Sequence, residues 1–445
     1  MRRLQRTTGL GGALVIGLGS ILGTGVFVSL ALAATPAGEA LPWAILLAGL
    51  LAGANGLSAA QLAAVMPVSG GSYAYGRHLL SPLAGFAAGW LFLCAKTASA
   101  AAAALGLSAY LAAWLGASAE SLRWWPPLLV LLITGAAMAG LKRSHWLNSL
   151  LVGGALLSLA LFVAAAIRLP PLPSAAATAA GGSAAGVAEA TALVFVAFTG
   201  YGRIVTMGEE VRQPERTIPR AVLLTLAVVL LLYLAVAGAA LRLAGAGGLA
   251  AALQAGPASG GEAIAPPLAQ LLLQAGLPWG DWIVAGGAVL ALAGVLLNLM
   301  LGLSRVWLAM AREGDMPRSL AAVDAAGTSP RRAVLVSGLL IALLSLGGQL
   351  ELTWGFSAFS VLGYYAITNL CVLRLQPEQR RFPVALAWLG LLSCLALAWM
   401  VPAAAWRTGL GLLALGLLWH WGLQRRLKAQ NTTKPGPRPG PRRAG

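Results

Sequence analysis

"GLGSILGTGVF", Gly17 to Phe27, lies inside the first long apolar stretch of the chain, and four of its eleven residues are glycine. Glycine weakens a helix by about 0.5–1 kcal/mol relative to alanine, so its density in a segment expected to be helical needs a reason. Close packing of small residues is one reading, and it accounts for most of the 56 glycines in the chain. Gly17, Gly19, Gly23 and Gly25, however, stand at i, i+2, i+6 and i+8, a pattern that traces no single helical face. The spacing predicts a break in the helix, where freed backbone N–H and C=O groups line a cavity or bind something. A dinucleotide-binding turn fits poorly, because the stretch reads GxGxxxG instead of GxGxxG and no strand-turn-helix unit frames it.

The rest of the chain places this break in a membrane. Of 445 residues 59% are hydrophobic and 10% charged, which excludes an ordinary soluble domain. Crossing a hydrocarbon core of about 30 Å takes about 20 apolar residues. Twelve runs approach that length: 9–34, 41–65, 83–115, 124–141, 147–168, 184–209, 219–243, 281–311, 331–347, 352–373, 384–401 and 406–424. The third, sixth and eighth exceed one straight crossing. The sequence therefore predicts an all-α integral membrane protein, with 1–8 as a cytoplasmic N-terminus, 9–373 as the core, 384–424 as two added helices and 425–445 as a disordered basic tail.

The formal charge of +17 does not require a nucleic-acid partner. With a cytoplasmic N-terminus, 25 of the 30 Lys and Arg fall on the inner side, from MRRLQR through Arg77, Lys142 and Arg143 to the tail. Arg123, Arg168, Arg242 and Arg407 fall outside, and Lys96 stands alone near mid-membrane. That split follows the positive-inside rule and predicts both termini in the cytoplasm, with the plasma membrane as the location. The N-terminus is not read as a signal peptide, since no small-residue cleavage site in a polar setting follows the apolar region. Cys94, Cys371 and Cys394 lie in apolar runs without metal-ligand spacing and read as packing residues, so no metal and no cofactor is implied. Asn431 matches a glycosylation sequon on the wrong side of the membrane.

A fold that repeats itself needs a second break. The sixth run supplies one in "FVAFTGYGRI", Phe195 to Ile204, where a Thr and two glycines interrupt an apolar helix. Runs one and six each open a group of five, and the odd number makes the groups opposite in orientation, as an inverted repeat requires. Half-helix N-termini suit a carboxylate and half-helix C-termini an ammonium or cation. A zwitterionic amino acid carries both groups on one carbon.

These residues resemble the amino acid, polyamine and organocation transporter superfamily, over about residues 8 to 425. The resemblance rests on GSILGTGVF, MPVSGGSYAYG, FTGY, EEVRQPERTIPRA and SRVWLAMAREGDMP in that order. It implies a ten-helix core in two inverted five-helix repeats with discontinuous first and sixth helices, two C-terminal helices, and alternating access. By motif, Ile21, Gly23, Thr24 and Gly25 would give main-chain donors to a substrate carboxylate. Ala197, Phe198, Thr199 and Gly200 would offer carbonyls to its amine and shape the pocket, with Phe198 or Tyr201 as an aromatic gate. Sodium-coupled relatives need hydroxyls in the eighth helix, and the stretch near Ala293, Gly294 and Val295 has none. Some sodium-independent relatives carry a lysine in the fifth helix, and here the matching position is about Ala155. Both departures leave the coupling ion open, with protons as a candidate.

Lys96, in "GWLFLCAKTASAAAA", is the lysine furthest from either interface. A Lys at helix centre costs about 2.5–3.5 kcal/mol on insertion scales. It either snorkels or pairs with a carboxylate, or it lines the central cavity and exchanges a proton during transport. Glu189, about two and a half turns outward of FTGY, is a second coupling candidate, either as a partner of Lys96 or in an outer vestibule where it attracts cations. Glu209 and Glu210 open a loop rich in arginine and, with Arg203, read either as a solvated charge run or as an inner gate; Asn298 is a further candidate for the inner path. A positive Lys96 would repel cationic substrates and favour neutral amino acids. The expectation is a permease, a symporter of amino acids with protons as the candidate coupling ion; exchange, uniport and polyamine transport stay open. A channel lacks a repeated filter, and an enzyme lacks HExxH, GxSxG or a Walker motif.

Overall fold

A computed structural model describes residues 6, 8–68, 70–115, 123–139, 145–173, 182–254, 266–323, 330–347 and 349–432. Lys142, Arg143 and the end of the basic tail lie outside the described residues. The described chain is helical throughout, with no strand and a single bridge between Thr8 and Val211.

The first apolar run holds α1 (Leu10–Gly19), a π turn (Gly25–Ser29) and α2 (Leu30–Ala37). Gly38, at φ 56°, turns the chain into α3 (Leu41–Val65). That helix ends at Met66, whose following proline disfavours helical dihedrals. A short α4 (Ser72–Leu79) leads to the long α5 (Pro82–Leu115), then α6 (Trp125–Ala139) and α7 (His145–Arg168). The second broken run is α8 (Ala184–Phe198), a 3-10 turn (Thr199–Tyr201) and α9 (Gly202–Val205). There follow α10 (Pro214–Gln254), α11 (Pro267–Gln274), α12 (Pro278–Arg312), α13 (Arg331–Ser345), α14 (Leu350–Leu373), α15 (Val384–Ala398) and α16 (Ala403–Thr432). Gly245, at φ 67° and ψ 172°, bends α10, and Glu39 Oε1 accepts the Ala246 N–H there at 2.8 Å.

Among the described residues seven helices are long and apolar enough to cross a membrane, or eight if the sharply bent pair α15 and α16 counts as one span. The α1 and α6 segments are shorter apolar helices, and α13 has 15 residues. All twelve predicted runs contain helix, but length alone does not assign a crossing to each. The last helix continues to Thr432, past the predicted start of the tail at 425.

The broken first run is held centrally. Its α1 half packs on α7, α10 and α12, and α2 packs on α8 and α10. Long α5 packs against α12 and α14, so the two breaks face a wall built from α5, α12 and α14. Lipid-type apolar side chains such as Leu231, Leu343 and Leu392 are exposed on the outside of this bundle.

Candidate functional site

In the first break the α-helical pattern stops at Gly19, passes through turns at Ser20 to Gly23, and resumes as a π turn. None of the four glycines takes a positive φ. Their role is the absent Cβ. A Cβ on Gly17 would lie 2.6 Å from Ile204 Cδ1, one on Gly19 2.9 Å from Asn148 Oδ1, one on Gly23 2.6 Å from Val295 Cγ2, and one on Gly25 2.0 Å from the Tyr233 hydroxyl. The broken pattern and close packing therefore coexist, because the four glycines meet side chains from α7, α9, α10 and α12.

The second break comes directly against the first. A Cβ on Gly200 would sit 2.3 Å from Ser20 O and 2.4 Å from Ile21 Cγ1. Tyr233, on α10, ties the two together: its hydroxyl donates to Ile21 O at 3.2 Å and Ala197 O at 3.3 Å. Both acceptors are carbonyls released by the interruptions, and buried carbonyls need such partners.

A cavity opens where the breaks meet, lined by Ser20, Ile21, Thr24, Gly25, Val196, Ala197, Thr199 and Gly200, and closed by Lys96, Ser99, Val295, Leu299 and Trp354. It brings together six of the nine residues expected from the motifs. Gly23 is instead packed on α12; Phe198 lies against Tyr233 with tilted rings, centres 5.1 Å apart, and Tyr201 likewise against Tyr365 at 5.5 Å. Neither aromatic lines the cavity, and the ring that does is Trp354, whose Nε1 donates to Leu193 O at 3.0 Å.

Lys96 is buried, and its ammonium donates to Thr199 Oγ1 at 2.9 Å and Thr199 O at 3.4 Å, with the Tyr364 ring 6.0 Å away. It neither snorkels nor forms an ion pair with half-buried Glu189. Its head stands at the carbonyl end of α8, where the dipole favours a positive charge.

A sequence profile described as "Amino acid permease" matches residues 12–415, nearly the whole chain and both breaks. The chain belongs to the amino acid permease family. It is a multi-pass membrane transporter and not an enzyme. An uncharacterised transporter of Mycobacterium tuberculosis is 39% identical over 430 residues, covering 95% of this chain and 92% of the relative. A branched-chain amino acid permease of Bacillus subtilis is 28% identical, with 86% and 84% covered. Human cationic amino acid transporter 4 is 30% identical, with 81% of this chain and 59% of the relative covered.

Three further polar networks hold this permease together. Asn298, on α12, donates to Gly19 O at 3.2 Å, Asn148 Oδ1 at 3.1 Å and Gly294 O at 3.0 Å, while Asn148 donates to Val15 O at 3.1 Å. Two neutral amides thus occupy the seam between α1, α7 and α12, beside the hydroxyl-free stretch that the sequence singles out. In the second network Glu210 pairs with Arg305 at 2.5 Å, and the Thr8 N–H donates to Glu210 O at 3.1 Å. Burial by itself raises the Glu210 carboxyl, but Arg305 and Arg203 beside it hold it below the ordinary range. The third network centres on fully buried Asp315, which accepts from Tyr73 Oη at 2.8 Å and Arg77 Nη1 at 3.0 Å, with His420 Nδ1 3.4 Å away. Burial, reinforced by Asp315, pushes the Tyr73 phenol up, so it stays a donor. Asn298 stood in the sequence as a bare candidate; Tyr233, Asn148 and Trp354 carried no local signal, each lying in an unremarkable apolar run far along the chain from the breaks.

Proposed function

We propose that this permease moves amino acids, neutral ones, across the plasma membrane by alternating access, independently of sodium and coupled to protons. The observation that carries the reading is the cavity at which both helix breaks meet, with residues of both interruptions on its wall. A carboxylate and an ammonium on one carbon match those two backbone ends. The substrate's variable part would then face Ser99, Val295, Leu299 and Trp354, a small and mostly apolar set.

Cationic substrates are disfavoured by Lys96, whose head already stands at the carbonyl end. Lys96 also supports proton coupling, as a titratable group on the cavity wall with no carboxylate paired to it. Sodium independence is supported by the Asn148–Asn298 pair, which fills the α1–α12 seam with amide donors. Glu209, Glu210 and Arg203 would form the inner gate. Twelve crossings in a five-plus-five inverted repeat, with both termini cytoplasmic, complete the reading; the basic residues support that orientation.

One observation favours a second reading. Because Lys96 holds Thr199, a substrate without an ammonium group would meet no competitor there, and a methylthioribose transporter of Bacillus subtilis is 26% identical over 96% of this chain.

The test is uptake of a labelled amino-acid panel, with a neutral sugar as comparator, into proteoliposomes with and without an inward proton gradient and with sodium replaced by choline. Saturable uptake of neutral amino acids that follows the proton gradient and ignores sodium is expected. Uptake of the sugar alone would transfer the assignment to the second reading.

A further inference from the structure

Adjoining the break-lined cavity lies a small second pocket, which shares Ser20, Lys96, Thr199, Gly200 and Leu299 with it. Its own wall adds Phe92, Arg203, Asn298 and Gly302. Arg203 decides its character. The Nε and Nη1 atoms of this side chain are buried and have no hydrogen-bond partner. The acid of the neighbouring network, Glu210, is paired with Arg305. Lys96, on the opposite wall, is bonded to Thr199 alone. Two cationic heads therefore line one cavity, and no carboxylate lines it.

Leaving buried donors of a charged group without acceptors is expensive, and the Glu210 carboxyl beside Arg203 makes its ion pair with Arg305. A planar guanidinium with free donors matches a carboxylate in shape and charge, whereas the same field repels cations. We propose that the pocket between Lys96 and Arg203 is a second binding position that takes a carboxylate, adjoining the site at the helix breaks and sharing part of its wall. The assignment rests on the reading that an amino acid occupies the break-lined cavity. The carboxylate has two sources: the substrate's own α-carboxylate on its passage between the cavities, or the side-chain carboxylate of an acidic amino acid. Arg203 is thus a binding residue in addition to a gate candidate.

The test uses the full chain in nanodiscs and proteoliposomes, comparing wild type with Arg203→Gln and Arg203→Lys. Sodium acetate is the carboxylate probe, set against sodium chloride at equal ionic strength. Acetate is expected to raise the melting temperature of wild type, with about tenfold weaker half-saturation in R203Q and an intermediate value in R203K. In uptake assays, passage of the α-carboxylate predicts an about tenfold lower maximal rate for labelled leucine in R203Q at unchanged half-saturation. Recognition of a side-chain carboxylate predicts that wild type prefers labelled glutamate to leucine and that R203Q loses the preference. Equal stabilisation by chloride and acetate, or acetate stabilisation unchanged in R203Q, overturns the proposal. So does a melting temperature of additive-free R203Q well below wild type, because Arg203 would then be held by the fold itself. Wild type that takes up no amino acid defeats the functional reading instead, and the acetate melting series still decides this site.

Discussion

The Cβ that Gly200 lacks would stand 2.3 Å from the carbonyl oxygen of Ser20. The two helix breaks, 180 positions apart in sequence, therefore touch backbone to backbone. Gly200→Ala forces that contact open, since a carbonyl fixed in a break cannot swing aside as a side chain can. Overpacking of this kind costs about 1–3 kcal/mol, and amino-acid binding to the purified protein should fall at least tenfold while insertion into the membrane is kept. Binding equal to wild type would separate the two breaks functionally.

Tyr233→Phe keeps the ring and removes the hydroxyl shared by Ile21 O and Ala197 O. Leaving buried acceptors unsatisfied costs about 1–3 kcal/mol, so the melting temperature should drop although no contact area is lost. An unchanged melting curve would mean that the bridge contributes nothing.

The pH profile of transport tests Lys96. The Glu210 carboxyl is held below its ordinary value of 4.5, so its contribution to the Arg305 pair is complete above that value and is lost only as the pH falls further. Between pH 5 and 8 this pair is therefore silent. Any proton dependence of uptake in that window should vanish in Lys96→Met, and a profile parallel to wild type would reduce Lys96 to a structural donor for Thr199.

Asp315→Asn removes the charge on which Tyr73 and Arg77 converge. Breaking a buried pair costs about 3–5 kcal/mol, and the low end is expected because Arg77 keeps Glu313 at 3.1 Å. Lower thermal stability, with faster proteolysis of the α4 segment, should follow; a stability equal to wild type would show that the cluster is held by packing alone.

Much of this was legible in the chain. Apolar run lengths determine a multi-pass helical membrane protein, because lipid enforces closed backbone hydrogen bonding over every local preference. The glycine spacing at 17–25 and the Thr-Gly pair at 199–200 mark where the helices are interrupted, since freed backbone tolerates few residue types. Lys96 announced itself through the cost of a charge at that depth. What the spacing did not determine was why glycine stands at each position: no positive φ is used, and the Cβ atoms are excluded by side chains of neighbouring helices.

The tertiary structure alone decided which groups reach the breaks. Tyr233, Trp354, Asn148 and Asn298 come from helices whose sequences are apolar and nearly uniform, so nothing local distinguishes a cavity-facing side from a lipid-facing one. It also turned Phe198 and Tyr201 onto Tyr233 and Tyr365, away from the cavity. It brought Lys96 onto Thr199 and left two buried donors of Arg203 without an acceptor. Composition and period fix which segments enter the membrane, because that depends on each segment's own solvation. Rotation and depth fix which side chains meet, because they depend on packing against every other segment at once.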